Sequence, residues 1–399
     1  ARRADHPRKP ELPHRMTPAA RVQAAAEVLD RIAAGTPAEQ ALLGWSRASR
    51  FAGSKDRAAV RDHVFDVMRR WRSTAASGGG ESGRARMLGL LRQQGVDPDT
   101  LFTGQGHAPR PLDEPERAAG RVPEGAEGLD LPDWLWSAWQ ASLGAEAVPA
   151  AEALRHRAPV FLRINTLRAS PDEAIAALSS DGIATRAAPL ADTALEVVEG
   201  ARKVARSKAF TEGLVELQDA ASQAVVAALP LAPGQRVLDY CAGGGGKALA
   251  MAARLAGPVE AHDANPARMS DLPARASRAA AEIAITPAPR GPYDLVLCDV
   301  PCSGSGSWRR APEGKWRLSP DGLAELTAIQ NRILETVAPM VTGGGTLAYA
   351  TCSMLAAENR ERVAAFLAAH PGWSLTQERQ FLPSDGGDGF YFACLSAPH

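Results

Sequence analysis

Apolar residues recur along this chain with two different periods, and the change of period divides it. From Thr17 to Trp71 the spacing is helical. Thr17-Pro18 is a helix start, with Thr as cap and Pro in the first turn, and Val22, Ala25, Ala26, Leu29 and Ile32 then share one face. Val60, Val64, Val67 and Met68 form a second apolar face between Asp56 and Trp71. The segment SGGGESG, 77–83, is a flexible joint by composition, and helical character resumes from Arg84 to about Gln94. Residues 96–130, rich in Pro, Gly and charge, predict an interdomain linker. A short helix opening at Leu131-Pro132-Asp133 carries Trp134, Trp136 and Trp139 at a spacing that suits a packed core.

Beyond residue 160 strands join the pattern. VFLRINT (160–166) predicts a strand, Pro171 to Ser180 a helix, and Ala184 to Val198 one or two strands: a small α/β element. From Leu217 helices and strands alternate. Helix 219–229 leads to strand Arg236–Tyr240, a glycine turn and helix Lys247–Leu255. Strands Val259–His262 and Leu295–Cys298, helix 321–338, strand Thr346–Ala350 and helix Ala356–Ala369 follow. Such alternation predicts an α/β fold with a doubly wound sheet. The expected organisation is a helical domain over 16–95, a linker over 96–130, a small α/β subdomain over 131–215 and the doubly wound domain over 216–399. Met16 opens the helical pattern, so residues 1–15 are expected to be an upstream extension or a leftover of cloning.

Composition narrows the class. Hydrophobic residues make up 45% and charged residues 23% of 399, which fits a globular chain rather than a disordered one. No apolar run approaches the roughly 20 residues of a membrane span, so no membrane association is expected. Five cysteines without paired CxxC units predict reduced thiols in the cytoplasm and no metal site. Formal net charge is +0, yet the first 80 residues count to roughly +7, which suits either an RNA-facing surface or a solvated helical face.

The strongest local signal is VLDYCAGGGGK, Val237 to Lys247: a buried strand, a glycine turn and a helix. Glycines permit close backbone approach by a ligand, and a helix N-terminus offers oriented N–H groups. About 20 residues past the turn, Asp263 closes the next strand, where a carboxylate can accept both ribose hydroxyls of an adenosine. A nicotinamide dinucleotide is one occupant for such a turn, but the GxGxxG spacing is missing. Asp239 at the strand end instead suits the ammonium of a methionine moiety, which favours S-adenosylmethionine.

Two further strands empty into cysteines. YDLVLCDVPCSGSG places Asp299 and Cys302 just past a strand, and LAYATCSMLAAEN does the same for Cys352, ahead of a helix whose N-terminus would lower its pKa. Ligands in open α/β sheets sit at carboxyl ends of strands. Carbon 5 of cytosine cannot take a methyl group unaided. A thiolate that adds to carbon 6 makes carbon 5 enamine-like, and a carboxyl group at the N3 edge can hold the base.

At these residues the chain resembles the Fmu/Sun family of RNA cytosine-C5 methyltransferases, particularly its bacterial ribosomal RNA members. FLRINTLRAS (161–170), ELQDAASQ (216–223), DYCAGGGGK, DVPCSGSG, ATCSMLAAEN and DGFYFACL (388–395) look like its motifs. FAGSKDRAAVRDHVFDVMRR (51–70) is similar to the NusB-like RNA-binding domain of bacterial members. The resemblance implies a Rossmann-like methyltransferase domain, with Cys352 as nucleophile, Cys302 assisting release and Asp299 touching cofactor and base. It implies that Asp239, Cys241, Ala242, Gly243, Gly244, Gly245, Gly246, Lys247, Asp263, Arg268 and Asp299 hold S-adenosylmethionine. The family usually has Pro within the glycine turn, where this chain reads CAGGGGK, so a looser turn is expected. It also usually has an acid near the adenine, which AEIAITPAPRGPYD lacks; Thr286 or a backbone amide is the expected substitute.

RNA contacts are expected from WRRAPEGKWRLS, 308–319, where Arg309, Arg310, Lys315 and Arg317 interleave with two tryptophans. Arg69, Arg70 and Arg72 are expected to do the same from the helical region. The partner is then RNA, bound by a monomer. Two rival readings stand. A DNA cytosine methyltransferase would use Cys302 as nucleophile but leaves the Thr-Cys motif unexplained. A ribosome-assembly factor with a degenerate methyltransferase fold would explain the altered turn and the missing acid.

Overall fold

The computed structural model describes residues 16–399, so the expectation for residues 1–15 falls outside the described residues. The chain divides into two compact units, with the boundary between Asp133 and Trp134.

The first unit is helical. Its main helices are Pro18–Ala33, Ala38–Ala48, Ser54–Arg69, Trp71–Gly78 and Gly83–Gln93. Thr17 caps the first of them, its hydroxyl accepting from the Ala20 amide at 3.1 Å. The apolar stripes meet in one core, where Val22, Leu29, Val60, Val64, Met87 and Leu88 are buried. The glycine run is not a flexible joint. A Cβ on Gly89 would lie 1.9 Å from the Thr74 carbonyl, and one on Gly78 would lie 1.8 Å from that of Ala85. The glycines let the helices Trp71–Gly78 and Gly83–Gln93 touch backbone to backbone.

Residues 96–130 are not a free linker either. Arg92 donates to the carbonyls of Ser77, Glu116 and Ala119, and Arg84 pairs with Glu116 at 2.7 Å. Asp130 is fully buried and caps the helix Trp71–Gly78, accepting from the Ser73 amide at 2.8 Å and from the Ser73 hydroxyl at 2.7 Å. A charged, Pro-rich composition matched a linker, but its charges are used to fasten the segment down.

The expected basic face of Arg69, Arg70 and Arg72 does not form. Arg69 is buried and paired with Asp66 at 3.0 Å. Arg72 pairs with Asp133 at 2.7 Å and donates to the Leu131 carbonyl. Arg70 is half-buried at the junction of two helices.

The second unit holds two sheets. The smaller is antiparallel, from β1 (Val160–Ile164), β2 (Ala184–Ala187), β3 (Ala194–Glu199) and β4 (Val215–Leu217), in the order β2-β3-β1-β4. The helix Pro171–Ser180 buries Ala174 and Leu178 among Leu162, Ile164 and Leu195 of this sheet.

The larger sheet contains β5 (Val237–Asp239), β6 (Val259–Ala261), β7 (Ile283–Ile285), β8 (Tyr293–Asp299), β9 (Val341–Thr351), β10 (Ser374–Phe381) and β11 (Phe390–Ser396). Their order is β10-β11-β9-β8-β5-β6-β7, and β11 alone runs against the rest. The central strands read as near-continuous apolar runs because both faces are covered: Leu295 and Leu297 face one core, Val296 and Cys298 the other. Chain order reverses at the β5–β8 pair, so the carboxyl ends of those strands flank the crevice in which such sheets bind ligands.

One predicted helix is broken. Over 356–369 a single turn, Ala356–Glu358, precedes the helix Arg360–Ala369, with Asn359 at φ −114° and ψ −109° between them. Cys352 therefore lies well before a helix N-terminus, and the expected helix-dipole effect on its thiol has no structural basis. Of the three tryptophans near residue 135, Trp139 is fully buried and stacks on Trp308, ring centroids 6.1 Å apart.

Candidate active site

The glycine turn links β5 to the helix Gly246–Leu255. Gly243 and Gly245 take left-handed dihedrals, φ +52° and +80°, which side chains rarely adopt. Asp263, just past β6, is buried and ties the turn to its own loop. It accepts from the Gly243 amide and the Asn265 amide, each at 2.9 Å, and pairs with Arg268 at 3.2 Å. Missing proline has not left the turn loose. Arg275 donates to the Gly244 carbonyl, and Arg163 of β1 donates to the Gly246 carbonyl at 2.7 Å. The Thr286 backbone is engaged on both sides, its amide with the Ala261 carbonyl at 2.9 Å and its carbonyl with the His262 ring at 3.1 Å.

Asp239 closes β5 with both carboxylate oxygens buried and without a hydrogen-bond partner. Burial, with the nearby charge of Asp299, pushes its pKa up to about 7. A carboxylate in that state is matched to a cationic ligand, which would supply the missing donors. In the protein alone the consequence for stability has a definite sign. The folded state holds the Asp239 proton more tightly than the unfolded chain, so this group's contribution falls as pH rises from about 4 to about 7. Chemical denaturation of Asp239→Asn should lack that loss, and its stability advantage over the parent should grow across the window. Parallel curves for the two proteins would remove the assignment.

Asp299 closes β8. Lys247, at the start of the glycine-turn helix, donates to it at 2.7 Å and lies over the Phe390 ring at 4.5 Å. The lysine of the turn thus fixes a carboxylate at the next strand end. Past it, the Pro301-Cys302 and Thr351-Cys352 loops meet: the two sulfurs are 3.4 Å apart. The Gly306 amide donates to the Cys352 carbonyl at 2.9 Å, and the Gly389 amide to the Gly306 carbonyl at 3.0 Å. A Cβ on Gly306 would lie 1.9 Å from the Gly389 carbonyl, so the Ser/Gly run exists for this approach. The hydrogen bond to Cys352 and burial push the Cys302 thiol well up. Cys241, behind the glycine turn, is pushed up by burial and the surrounding carboxylates, which leaves it a protonated structural thiol.

The loop expected to touch RNA is largely structural. Arg309 is buried and paired with Asp388 at 2.7 Å; Arg310 pairs with Asp388 and, at 2.7 Å, with Asp219. These pairs explain why ELQDAASQ and DGFYFACL look like motifs: they anchor the loop after Cys302. Lys315 is buried, with its ammonium 4.6 Å from the Trp316 ring, and Arg317 is exposed but paired with Glu313. Trp308 is buried and its indole donates to the Ser303 carbonyl at 3.1 Å, so it is no stacking platform. Sequence reasoning missed Arg163, Gln330 and Glu358. Only Arg163 carried a signal, a charge inside the apolar run VFLRI.

Comparison with known proteins places these features together. Residues 226–396 match the family model for 16S rRNA methyltransferase RsmB/F, and residues 131–204 match the ferredoxin-like domain of RsmF/B-like methyltransferases. Ribosomal RNA small subunit methyltransferase B of Xanthomonas campestris pv. campestris is 32% identical over 334 residues, 78% of this chain and 73% of its own length. The Erwinia tasmaniensis protein of the same name is 33% identical over 282 residues, and the match spans 66% of its length. Among solved structures, that of PH0851 superposes with a TM-score of 0.73 at 22% identity, covering 95% of this chain and 99% of that one. A methyltransferase homolog from Pyrococcus horikoshii gives 0.61 at 22% identity over 68% of this chain and 97% of its own. These likenesses agree with the Rossmann-like methyltransferase fold read from the strand order. With the matched family model running from just before the glycine turn through both cysteine loops to the last strand, the chain belongs to the RsmB/F family of 16S rRNA methyltransferases.

Proposed function

We propose that this protein transfers a methyl group from S-adenosylmethionine to carbon 5 of a cytosine in small-subunit ribosomal RNA, through a covalent bond between Cys352 and carbon 6 of the base. The observation that carries this reading is the pair of sulfurs, 3.4 Å apart, at neighbouring strand ends past the Lys247–Asp299 pair. Membership of the family, and relatives named as small-subunit ribosomal RNA methyltransferases, support the RNA class.

The residues present suit the cofactor. The unpartnered Asp239 carboxylate would take its ammonium, the turn from Cys241 to Lys247 its carboxylate end, and Asp263 with Arg268 its ribose. When bound, S-adenosylmethionine supplies an electrophilic methyl group. Asp299 accepts from the exocyclic amino group of the base and holds its N3 edge. The Cys352 thiolate adds to carbon 6, which makes carbon 5 a nucleophile. Once carbon 5 carries the methyl group, it gives its proton to solvent, the C5–C6 double bond re-forms, and Cys352 leaves as a thiolate. Cys302, with its raised pKa, is a thiol and donates S–H to the departing sulfur.

We assign the helical first unit to holding structured RNA, on its resemblance to NusB-like domains. Because Arg69 and Arg72 are engaged within the unit, that grip depends on other basic residues. The reading is tested by incubating the protein with small-subunit ribosomal RNA and labelled cofactor. Label should appear as 5-methylcytosine; label in another nucleoside, or none, would refute it.

A further inference from the structure

Glu358 is completely buried, and a buried carboxylate is costly unless it is fully bonded. It has four donors. One oxygen accepts from the Ser303 amide at 2.7 Å and from the Gln330 side-chain amide at 3.1 Å; the other accepts from the hydroxyls of Ser303 and Ser353. That is the whole acceptor capacity of an ionised carboxylate. Ser303 directly follows Cys302, and Ser353 directly follows Cys352.

The residues on the other side of each cysteine belong to the same network. Gln330 donates to the Pro301 carbonyl at 3.0 Å. Thr351 donates to the Asn359 side chain, and the Glu358 carbonyl accepts from the Tyr349 hydroxyl at 2.6 Å. Both neighbours of both cysteines are thus tied directly or through one residue to Glu358.

We propose that Glu358 is the positioning residue of this site: through Ser303 and Ser353 its carboxylate sets the spacing of the two sulfurs and places a fixed negative charge beside the pair. The inference rests on the methyl-transfer reading above. The Glu358 charge adds to the Cys352 hydrogen bond and burial in holding the Cys302 proton, against the lowering effect of the Gly304 backbone. Tyr349, the other titratable group facing Cys302, is itself held protonated by burial. This agrees with Cys302 as the S–H donor and Cys352 as the attacking group in the reading above. Glu358 gains or loses no proton and forms no covalent bond.

Two substitutions separate spacing from charge. In Glu358→Gln the side-chain oxygen can still serve the two N–H groups, and the hydroxyls can rotate to accept from its NH2 group, so the joint survives while the charge goes. Glu358→Ala loses both. In a Cys352→Ala background, alkylation of Cys302 by iodoacetamide, followed by peptide mass spectrometry against pH, reads the charge without RNA or methylation. Glu358→Gln should shift that profile to lower pH, with alkylation roughly tenfold faster at neutral pH. With Cys352 present, Glu358→Ala should lower kcat by about 100-fold, the cost of misplacing a reacting group by about an ångström, while KM for RNA and cofactor affinity stay unchanged. A profile for Glu358→Gln that superimposes on its parent would overturn the proposal, as would full kcat in Glu358→Ala. If Glu358→Ala does not fold, the Gln variant decides. If the wild-type protein forms no 5-methylcytosine, the functional reading fails, while the alkylation shift still decides the role of Glu358.

Discussion

Cys302→Ala is expected to accumulate a protein–RNA complex that survives a denaturing gel, and Cys352→Ala to form none. Both variants should lose turnover, but for different reasons. Without Cys352 no bond to carbon 6 forms, and removal of a catalytic nucleophile costs between about 10⁴ and 10⁶ in rate. Without Cys302 the bond forms and the methyl group is transferred, but the departing sulfur has lost its S–H donor. The structure gives this difference a physical origin. The two sulfurs are in contact, and the hydrogen bond with burial holds the Cys302 proton more tightly than in a free thiol. Neither substitution should unfold the protein, since both cysteines are partly exposed and each loses one sulfur. The reverse pattern on the gel would move the nucleophile to Cys302 and favour the DNA-methyltransferase type of chemistry.

Asp299→Asn should be nearly as damaging, by a factor on the order of 10² to 10⁴ in kcat/KM. The carboxylate is the link between the two halves of the site: Lys247 holds it at 2.7 Å from the glycine-turn side, and the cysteine loop begins three residues later. The asparagine keeps the shape but not the charge. It removes the nearest anion from the buried Lys247 ammonium, so a stability loss of about 1–2 kcal/mol should accompany the kinetic one, less than for a fully buried pair because Asp299 is 29% exposed. The Cys302→Ala/Asp299→Asn double variant should fail to accumulate adduct, because the base is no longer held for attack. Adduct at the level of Cys302→Ala alone would show that Asp299 acts after the bond forms, not before it. Urea denaturation and the gel read these two effects separately.

The strands and the strand-end residues were legible because a buried parallel strand is a short unbroken apolar run, and the residue that ends it stands at a crevice by construction of the fold. Asp239, Asp299, Cys302 and Cys352 are all of this kind. What failed were readings of charge and of flexibility. Arg309 and Arg310 look like a phosphate-binding pair until Asp388 and Asp219 are placed beside them from 79 and 91 residues away, distances that no local pattern spans. Arg72 is likewise claimed by Asp133 from 61 residues away. The glycines of 77–83 suggest freedom of the backbone by composition, whereas Gly78 is used for close approach. Glu358 escaped because its partners, Ser303, Gln330 and Ser353, lie in three different segments, and a Glu heading the charged run ENRER reads as a solvated charge.

The most direct test of the central claim is a trap on the substrate. Small-subunit ribosomal RNA carrying 5-fluorocytidine has no proton at carbon 5 to lose, so after methyl transfer the C5–C6 double bond cannot re-form and the thiol stays attached. The wild-type protein, incubated with this RNA and S-adenosylmethionine, should give a stable complex whose nuclease and protease digest carries the modified base on the peptide containing Cys352. A complex mapped to Cys302, or none formed while ordinary RNA is methylated, would contradict the account.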